Sequence, residues 1–339
     1  MNKLTKIGVS ALCGTLAAVS SASAGEMSVA GGATATYATH SYGNTGNPLG
    51  MNTGLTFTGS GELDNGGTFT LSIGQTDKIG YDASSISYVS PSYGTITYDE
   101  GGGTGLDRID DMIPTAWEET NGTSVGTGMT TVAGAGGSTD IEWTAPSSLL
   151  ADGMNVYFAY SPTPDGTANT DKGVGGATAN TGSGWDLVVT HSGMMDGLNV
   201  FAGMSEIDQE VAALYKAGDR TQFAWGATYA IGNVTAGYEY SRDNLMNQGH
   251  SDISFYENDM YGVSFSLNDD LSVSYGVAKS KQFKLNATSV ELEANSLQFA
   301  YSMGGASIKI ANTSVDNGLY DSTTATDREG TTIALSLAF

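Results

Sequence analysis

Apolar side chains recur at every second position along most of the chain, and no stretch sustains a helical period. At the C-terminal end Ile333, Leu335, Leu337 and Phe339 share one face, while Thr332, Ala334, Ser336 and Ala338 share the other. Tyr261, Val263, Phe265 and Leu267 alternate with Gly262, Ser264 and Ser266; Leu271, Val273, Tyr275 and Val277 alternate with Ser272, Ser274, Gly276 and Ala278. Phe223, Trp225, Tyr229 and Ile231 face away from Gln222, Ala224, Gly226, Thr228 and Ala230. The second face decides the architecture. A soluble sheet turns charges outward, whereas here the second face is Ser, Thr, Gly and Ala. Such a face fills a dry core badly and suits the wall of a wet lumen. The apolar face, edged by Tyr, Trp and Phe, suits lipid.

The pattern predicts sixteen strands, near 26–38, 50–62, 67–77, 82–90, 94–100, 138–146, 154–161, 184–192, 198–206, 220–231, 234–242, 256–267, 271–282, 289–302, 306–315 and 329–339. Starting with the second, every other connection is short and carries Gly, Asn, Asp or Pro, as in Asp64-Asn65-Gly66, Asp196-Gly197 and Asn268-Asp269-Asp270; 147–153 is the longer member of this set. The intervening ones are mostly longer, 101–137 longest of all, with 78–80 the short exception. Short and long alternate as an up-and-down membrane barrel requires, and an even strand count lets the first and last strands close it. The expected fold is therefore all-β, a transmembrane antiparallel barrel of about sixteen strands.

Composition changes this picture in three places. Lys3 and Lys6, the apolar run Ile7 to Val19 and Ser21-Ala22-Ser23-Ala24 read as a signal peptide over 1–24, cut between Ala24 and Gly25 or one residue later; 25–339 would then be one barrel domain. The one cysteine, Cys13, lies inside the removed segment, and Leu12 before it is not the small residue of lipoprotein processing, so no disulfide is expected. Acidic residues outnumber basic ones 36 to 13, and 36 to 11 without Lys3 and Lys6, a formal charge of −25. That excess argues against nucleic acid as a partner.

The chain resembles the general porins of Gram-negative bacteria, especially the short sixteen-stranded alphaproteobacterial type. The stretch from Met51 to Gly66 (MNTGLTFTGSGELDNG) is similar to the second strand and turn of those proteins, and Phe339 after Leu337, Leu335 and Ile333 is similar to their barrel-insertion signal. The resemblance implies a water-filled outer-membrane channel for small hydrophilic solutes, with lipid and lipopolysaccharide around it and the barrel-assembly machinery reading Phe339. It also implies that the third external loop, 101–137, folds into the lumen and narrows it. The early strands form the trimer interface in that family. Here Met27, Val29, Gly31, Ala33 and Ala35 make a poorly hydrophobic outer face, so a homotrimer is expected.

Within the long loop, Asp107, Arg108, Asp110, Asp111, Glu118 and Glu119 place five carboxylates and one base in thirteen residues. Lining a constriction, they would concentrate cations and repel anions; alternatively they solvate the loop or hold it against wall groups. Strand parity turns Arg220, Glu239 and Lys309 toward the lumen, and Arg242 and Lys279 toward the outside as interfacial anchors. Two inward bases depart from the arginine-rich wall of the family, so cation preference is expected. Asp107, Asp110 and Asp111 offer oxygen ligands to a hard cation such as Ca²⁺, but their spacing matches no defined calcium loop, and no cofactor is expected. The mature histidines, His40, His191 and His250, suggest no Ser-His-acid set, so an enzyme is not expected. A substrate-specific channel, or a structural or adhesive outer-membrane protein, remains the alternative.

Overall fold

The computed structural model describes residues 26–41, 46–77, 80–121, 125–164, 181–209, 216–247 and 252–338. The signal segment with Ala24 and Gly25, Phe339 and His250 lie outside the described residues. Sixteen strands follow one another: β1 Met27–His40, β2 Leu49–Glu62, β3 Thr68–Thr76, β4 Gly80–Ser90, β5 Gly94–Asp99, β6 Asp140–Thr144, β7 Met154–Ser161 and β8 Thr181–His191. They continue with β9 Leu198–Gln209, β10 Arg220–Ile231, β11 Val234–Asn244, β12 Ile253–Ser266, β13 Leu271–Lys284, β14 Val290–Met303, β15 Ala306–Asp316 and β16 Arg328–Ala338. Each pairs antiparallel with its sequence neighbours, and β1 closes the barrel on β16 from Gly32 opposite Ala338 to His40 opposite Gly330.

Alternation sets the outward face, where Phe57, Leu71, Ile86, Trp225, Phe265, Leu297 and Leu335 stand exposed. Short turns are fixed by side-chain acceptors: Asn65 takes the Gly67 amide at 3.0 Å, and Asn268 takes those of Asp270 and Leu271 at 2.9 Å. Opposite the short turns, β8, β9, β12 and β13 run two or three residues beyond the expected ends. There the outward positions become charged, so the hydrophobic rhythm fades while the hydrogen-bond ladder continues. Across β11–β14 two outward rows run Arg242–Glu257–Lys281–Glu291 and Tyr240–Asp259–Lys279–Glu293. β6 is shorter than expected, because Ser138 and Thr139 belong to the returning limb of the long loop and are buried with it.

Inside the barrel the expectation of a uniformly wet, hydroxyl-lined wall needs correction. Inward side chains of β1–β5 are mostly Ser, Thr, Gly, Ala and Asn with partial exposure, such as Thr34, Ser72 and Thr97, with His40, Glu62 and Asp99 at strand ends. Many of those of β8–β14 are buried, among them Asp186, Ser205, Gln222, Glu239, Asn258 and Gln298. Leu106, Ile109 and Val132 from the long loop pack on Val188, Phe201 and Ala224. Val125 from the same loop packs with Tyr256, Met260, Leu292, Ala294, Val315 and Tyr320. An apolar core thus lies within the barrel, between its wall and its longest loop.

Candidate functional site: the loop-lined constriction

The described residues of the long loop, 100–121 and 125–139, follow β5 and lie along the inner wall. Asp99 Oδ1 accepts the Gly101 and Gly102 amides at 2.8 and 2.9 Å, and Asp107 Oδ2 accepts that of Gly103 at 2.7 Å. A single 3₁₀ turn, Gly105–Ile109, then buries Leu106 and Ile109. Its first residue approaches the wall so closely that a Cβ at Gly105 would stand 2.2 Å from Asp186 Oδ2. Only glycine fits there, and its φ of +49° is one that glycine adopts readily.

The wall supplies acceptors and the loop supplies backbone amides. Asp186 of β8 accepts from Leu106 at 2.9 Å and from Ala135 and Gly136 at 2.8 Å, so one carboxylate ties down both limbs of the loop. Glu142 of β6 accepts from the Gly105 amide at 2.8 Å and from Arg108 Nη2 at 2.5 Å. Gln222 accepts from Ala133 and Gly134, at 3.2 and 2.6 Å. Further along, Ser274 accepts from Ala116, and Gln298 accepts from both Trp117 and Glu118 while donating to the Glu118 carbonyl. Buried amides left unpaired are costly, so each acceptor specifies where the loop must lie.

The residues singled out in the sequence divide between two tasks. Arg108 is an anchor: it pairs with Glu142, and its guanidinium lies 4.2 Å from the Tyr157 ring centroid. Arg220 points inward but is held by Asp243 through two bonds of 2.8 and 2.6 Å. Glu239 also points inward, yet the loop covers it fully and its Oε2 accepts from the Met112 amide at 3.3 Å. Lys309 points inward, its Nζ 5.9 Å from the Trp117 ring centroid. Asp111 and Glu119 are exposed toward water, with Asp107, Asp110 and Glu118 partly so. Outside the barrel, Lys279 pairs with Glu293 at 2.9 Å, and the Arg242 guanidinium lies 3.7 Å from the Phe255 ring centroid.

Burial raises three acids of the loop, Asp107, Asp110 and Glu119, above the usual carboxylate range, and neighbouring carboxylates add to it. Asp110 is pushed up to about 8 by burial, then by Asp107, Asp111 and Glu119. Asp107 rises for the same first reason, although the Gly103 amide opposes it. Glu119 rises through burial and then through Asp111 beside it. Among the described residues no three His, Cys, Asp or Glu side chains are placed to hold a metal ion, and Asp107, Asp110 and Asp111 do not form such a set.

Asp186, Glu142, Gln222 and Gln298 escaped the reading of the sequence. A usable signal was present for the two acids. Asp186 lies between Trp185 and Leu187, and Glu142 between Ile141 and Trp143, so parity alone turns each acid inward. That parity had already singled out Glu239.

Comparison with known structures finds the same architecture. OmpF of Salmonella typhi, in complex with daunomycin, superposes with a TM-score of 0.69 at 14% identity, covering 93% of this chain and 98% of that one. In-vitro folded OmpT of Vibrio cholerae gives 0.68 at 12% identity, covering 96% and 100%. An anion-selective porin from Comamonas acidovorans gives 0.66 at 16% identity, covering 93% and 100%. No curated relative matches the sequence. A family model described as Gram-negative porin matches residues 8–318. With a closed sixteen-strand barrel whose longest loop lines the lumen, the chain belongs to the Gram-negative porin family, and it is a channel of the outer membrane.

Proposed function

We propose that this porin passes small hydrophilic solutes and ions by passive diffusion and prefers cations. One observation carries the reading: the acids of the loop face an uncharged wall. Asp111 and Glu119 stand exposed, while the inward positions of β1–β3 are Ser, Thr, Gly, Ala and Asn apart from His40 at the end of β1 and Glu62 at the end of β2. Arg108 of the loop and Arg220 of the wall are already neutralised by Glu142 and Asp243, and Lys309, the other inward base of the wall, lies beside the Trp117 ring. Carboxylates within low-dielectric walls raise the local cation concentration. Reversal potentials of the purified channel in a planar bilayer under a KCl gradient test this. The cation should be favoured, and anion preference overturns the reading.

Assembly and surroundings follow the same logic. Ala35 floors an apolar notch of about 330 Å³ on the outer surface, bordered by Tyr37, Leu49, Ile308, Ile333 and Leu335. A notch of that kind suits another protein surface better than fluid lipid, which supports a homotrimer packed through β1, β2 and β16. The outward charged rows of β11–β14 lie beyond the apolar band, at the level of phosphorylated lipopolysaccharide headgroups, where Arg242, Lys279 and Lys281 meet phosphate. Cleavage after Ala24 and recognition of Phe339 by the assembly machinery complete the reading. Intact mass of the protein extracted from outer membranes checks the cleavage.

A further inference from the structure

The last external loop, between β15 and β16, departs most strongly from ordinary backbone geometry. Asn317, Leu319 and Tyr320 have φ values of 54°, 58° and 56°. Bulky side chains rarely adopt left-handed conformations, and such strain persists only where the surroundings over-determine it. Here the surroundings are the long loop and the inner wall. The Leu319 amide donates to the Thr127 carbonyl at 3.0 Å. The Leu319 side chain sits over Gly128, where a Cβ would stand 2.2 Å from Leu319 Cδ2. Tyr320 is buried with 7% exposure, its ring 5.2 Å from that of Tyr256. Its hydroxyl accepts the Thr130 amide at 2.8 Å and lies 2.6 Å from Ser280 Oγ. Beyond the turn, Arg328 donates to the Gly126 carbonyl.

We infer that the 317–320 segment is a latch that holds the returning limb of the long loop against β12–β16, with Tyr320 as the positioning residue. The wall acceptors fix the outgoing limb up to Glu118, and Gln222 and Asp186 fix the return from Ala133 onward. Between those anchored stretches the last loop supplies two bonds to residues 125–130: the Leu319 amide donates to the Thr127 carbonyl, and the Tyr320 hydroxyl accepts the Thr130 amide. The wall adds to this: Asn258 of β12 donates to the Thr130 carbonyl at 3.0 Å, Arg328 at the start of β16 donates to that of Gly126, and Val125 packs on Met260, Leu292 and Val315. The strained backbone is what brings a phenol from outside the membrane down to an amide inside the barrel. Bore and ion preference therefore depend on a loop that carries no charge in the constriction.

Tyr320→Ala and Tyr320→Phe test the latch in the full-length channel, with single-channel current noise, conductance and reversal potential as readouts, beside the melting temperature of the folded barrel. Tyr320→Ala should give a noisier and larger open-channel current and weaker cation preference. Tyr320→Phe keeps the ring but loses the bonds to Thr130 and Ser280, and should raise the noise with little change in melting. A part confined to packing would lower the melting temperature and leave noise and selectivity as in the parent. That result, in either variant, overturns the inference. Should Tyr320→Ala fail to fold, Tyr320→Phe decides: parent-like noise and selectivity overturn the inference, and raised noise supports it.

Discussion

Across β1–β5 most inward side chains are small, uncharged and half-exposed, with Glu62 and Asp99 at strand ends the acids, whereas across β8–β14 many are buried, acids and amides with hydrogen-bonding duties among them. Both halves turn the same apolar stripe to lipid. They differ in what stands in front of them: water on one side, and on the other a loop whose amides need acceptors and whose Leu106, Ile109 and Val132 need apolar partners. A hydroxyl wall can be wetted anywhere and therefore specifies nothing about loop position. A carboxylate such as Asp186, fully buried, is tolerable only where three amides converge on it. The contrast explains why the channel runs beside the plain half, and why its charge comes from the loop rather than from the wall.

Substitutions that break this contrast should rank by how many loop groups they orphan. Asp186→Ala leaves the amides of Leu106, Ala135 and Gly136 without their acceptor, each costing about 1–3 kcal/mol if it stays buried. The loop should swing from the wall, conductance should rise severalfold in planar bilayers, and cation preference should fall. Next, Asp111→Asn combined with Glu119→Gln removes the two most exposed loop acids without touching an anchor. The cation-to-anion permeability ratio should drop by roughly a factor of two to five, at nearly unchanged melting temperature.

Acidity sharpens the comparison through Asp110, Asp107 and Glu119. Their proton affinities are raised in the folded protein, so the native state binds more protons than the unfolded chain above the ordinary carboxylate range, and for Asp110 up to about 8. Stability from this source is complete at low pH and is lost as pH climbs through that upper value. Cation preference should move the other way, rising from pH 6 to pH 9 as the loop acquires charge, in reversal potentials measured at fixed salt. The smallest effect belongs to the plain half. Ser72→Ala on β3 should change melting by less than about 0.5 kcal/mol and leave selectivity as it was.

The sixteen strands were legible in the sequence because lipid demands apolar residues at every second position, as Tyr261, Val263 and Phe265 show. The external ends were less legible. Lys279, Lys281, Glu291 and Glu293 pair with one another across strands above the apolar band, and no hydrophobic rhythm marks them. The loop acids were found as a cluster, but the division of labour among them was not. Arg108 reads as a pore charge until Glu142 is seen opposite it, and Glu239 reads as a wall charge until Met112 covers it. Which inward acid meets water and which meets an amide depends on the path of a loop without periodicity, and a single sequence carries no signal for that path. The left-handed run at 317–320 is invisible for the same reason, since Leu319 and Tyr320 are residues that local preference keeps out of that conformation.

The central claim, that one half of the barrel wall is wet and the other is sealed by the loop, can be measured directly with two conservative cysteines. Ser72→Cys on β3 and Ser241→Cys on β11 both point into the barrel, Ser72 partly exposed and Ser241 fully buried. A small, water-soluble, positively charged thiol reagent, applied to the channel in bilayers, should modify the first at once and the second slower by about two orders of magnitude or more. Equal rates at the two positions would contradict the account.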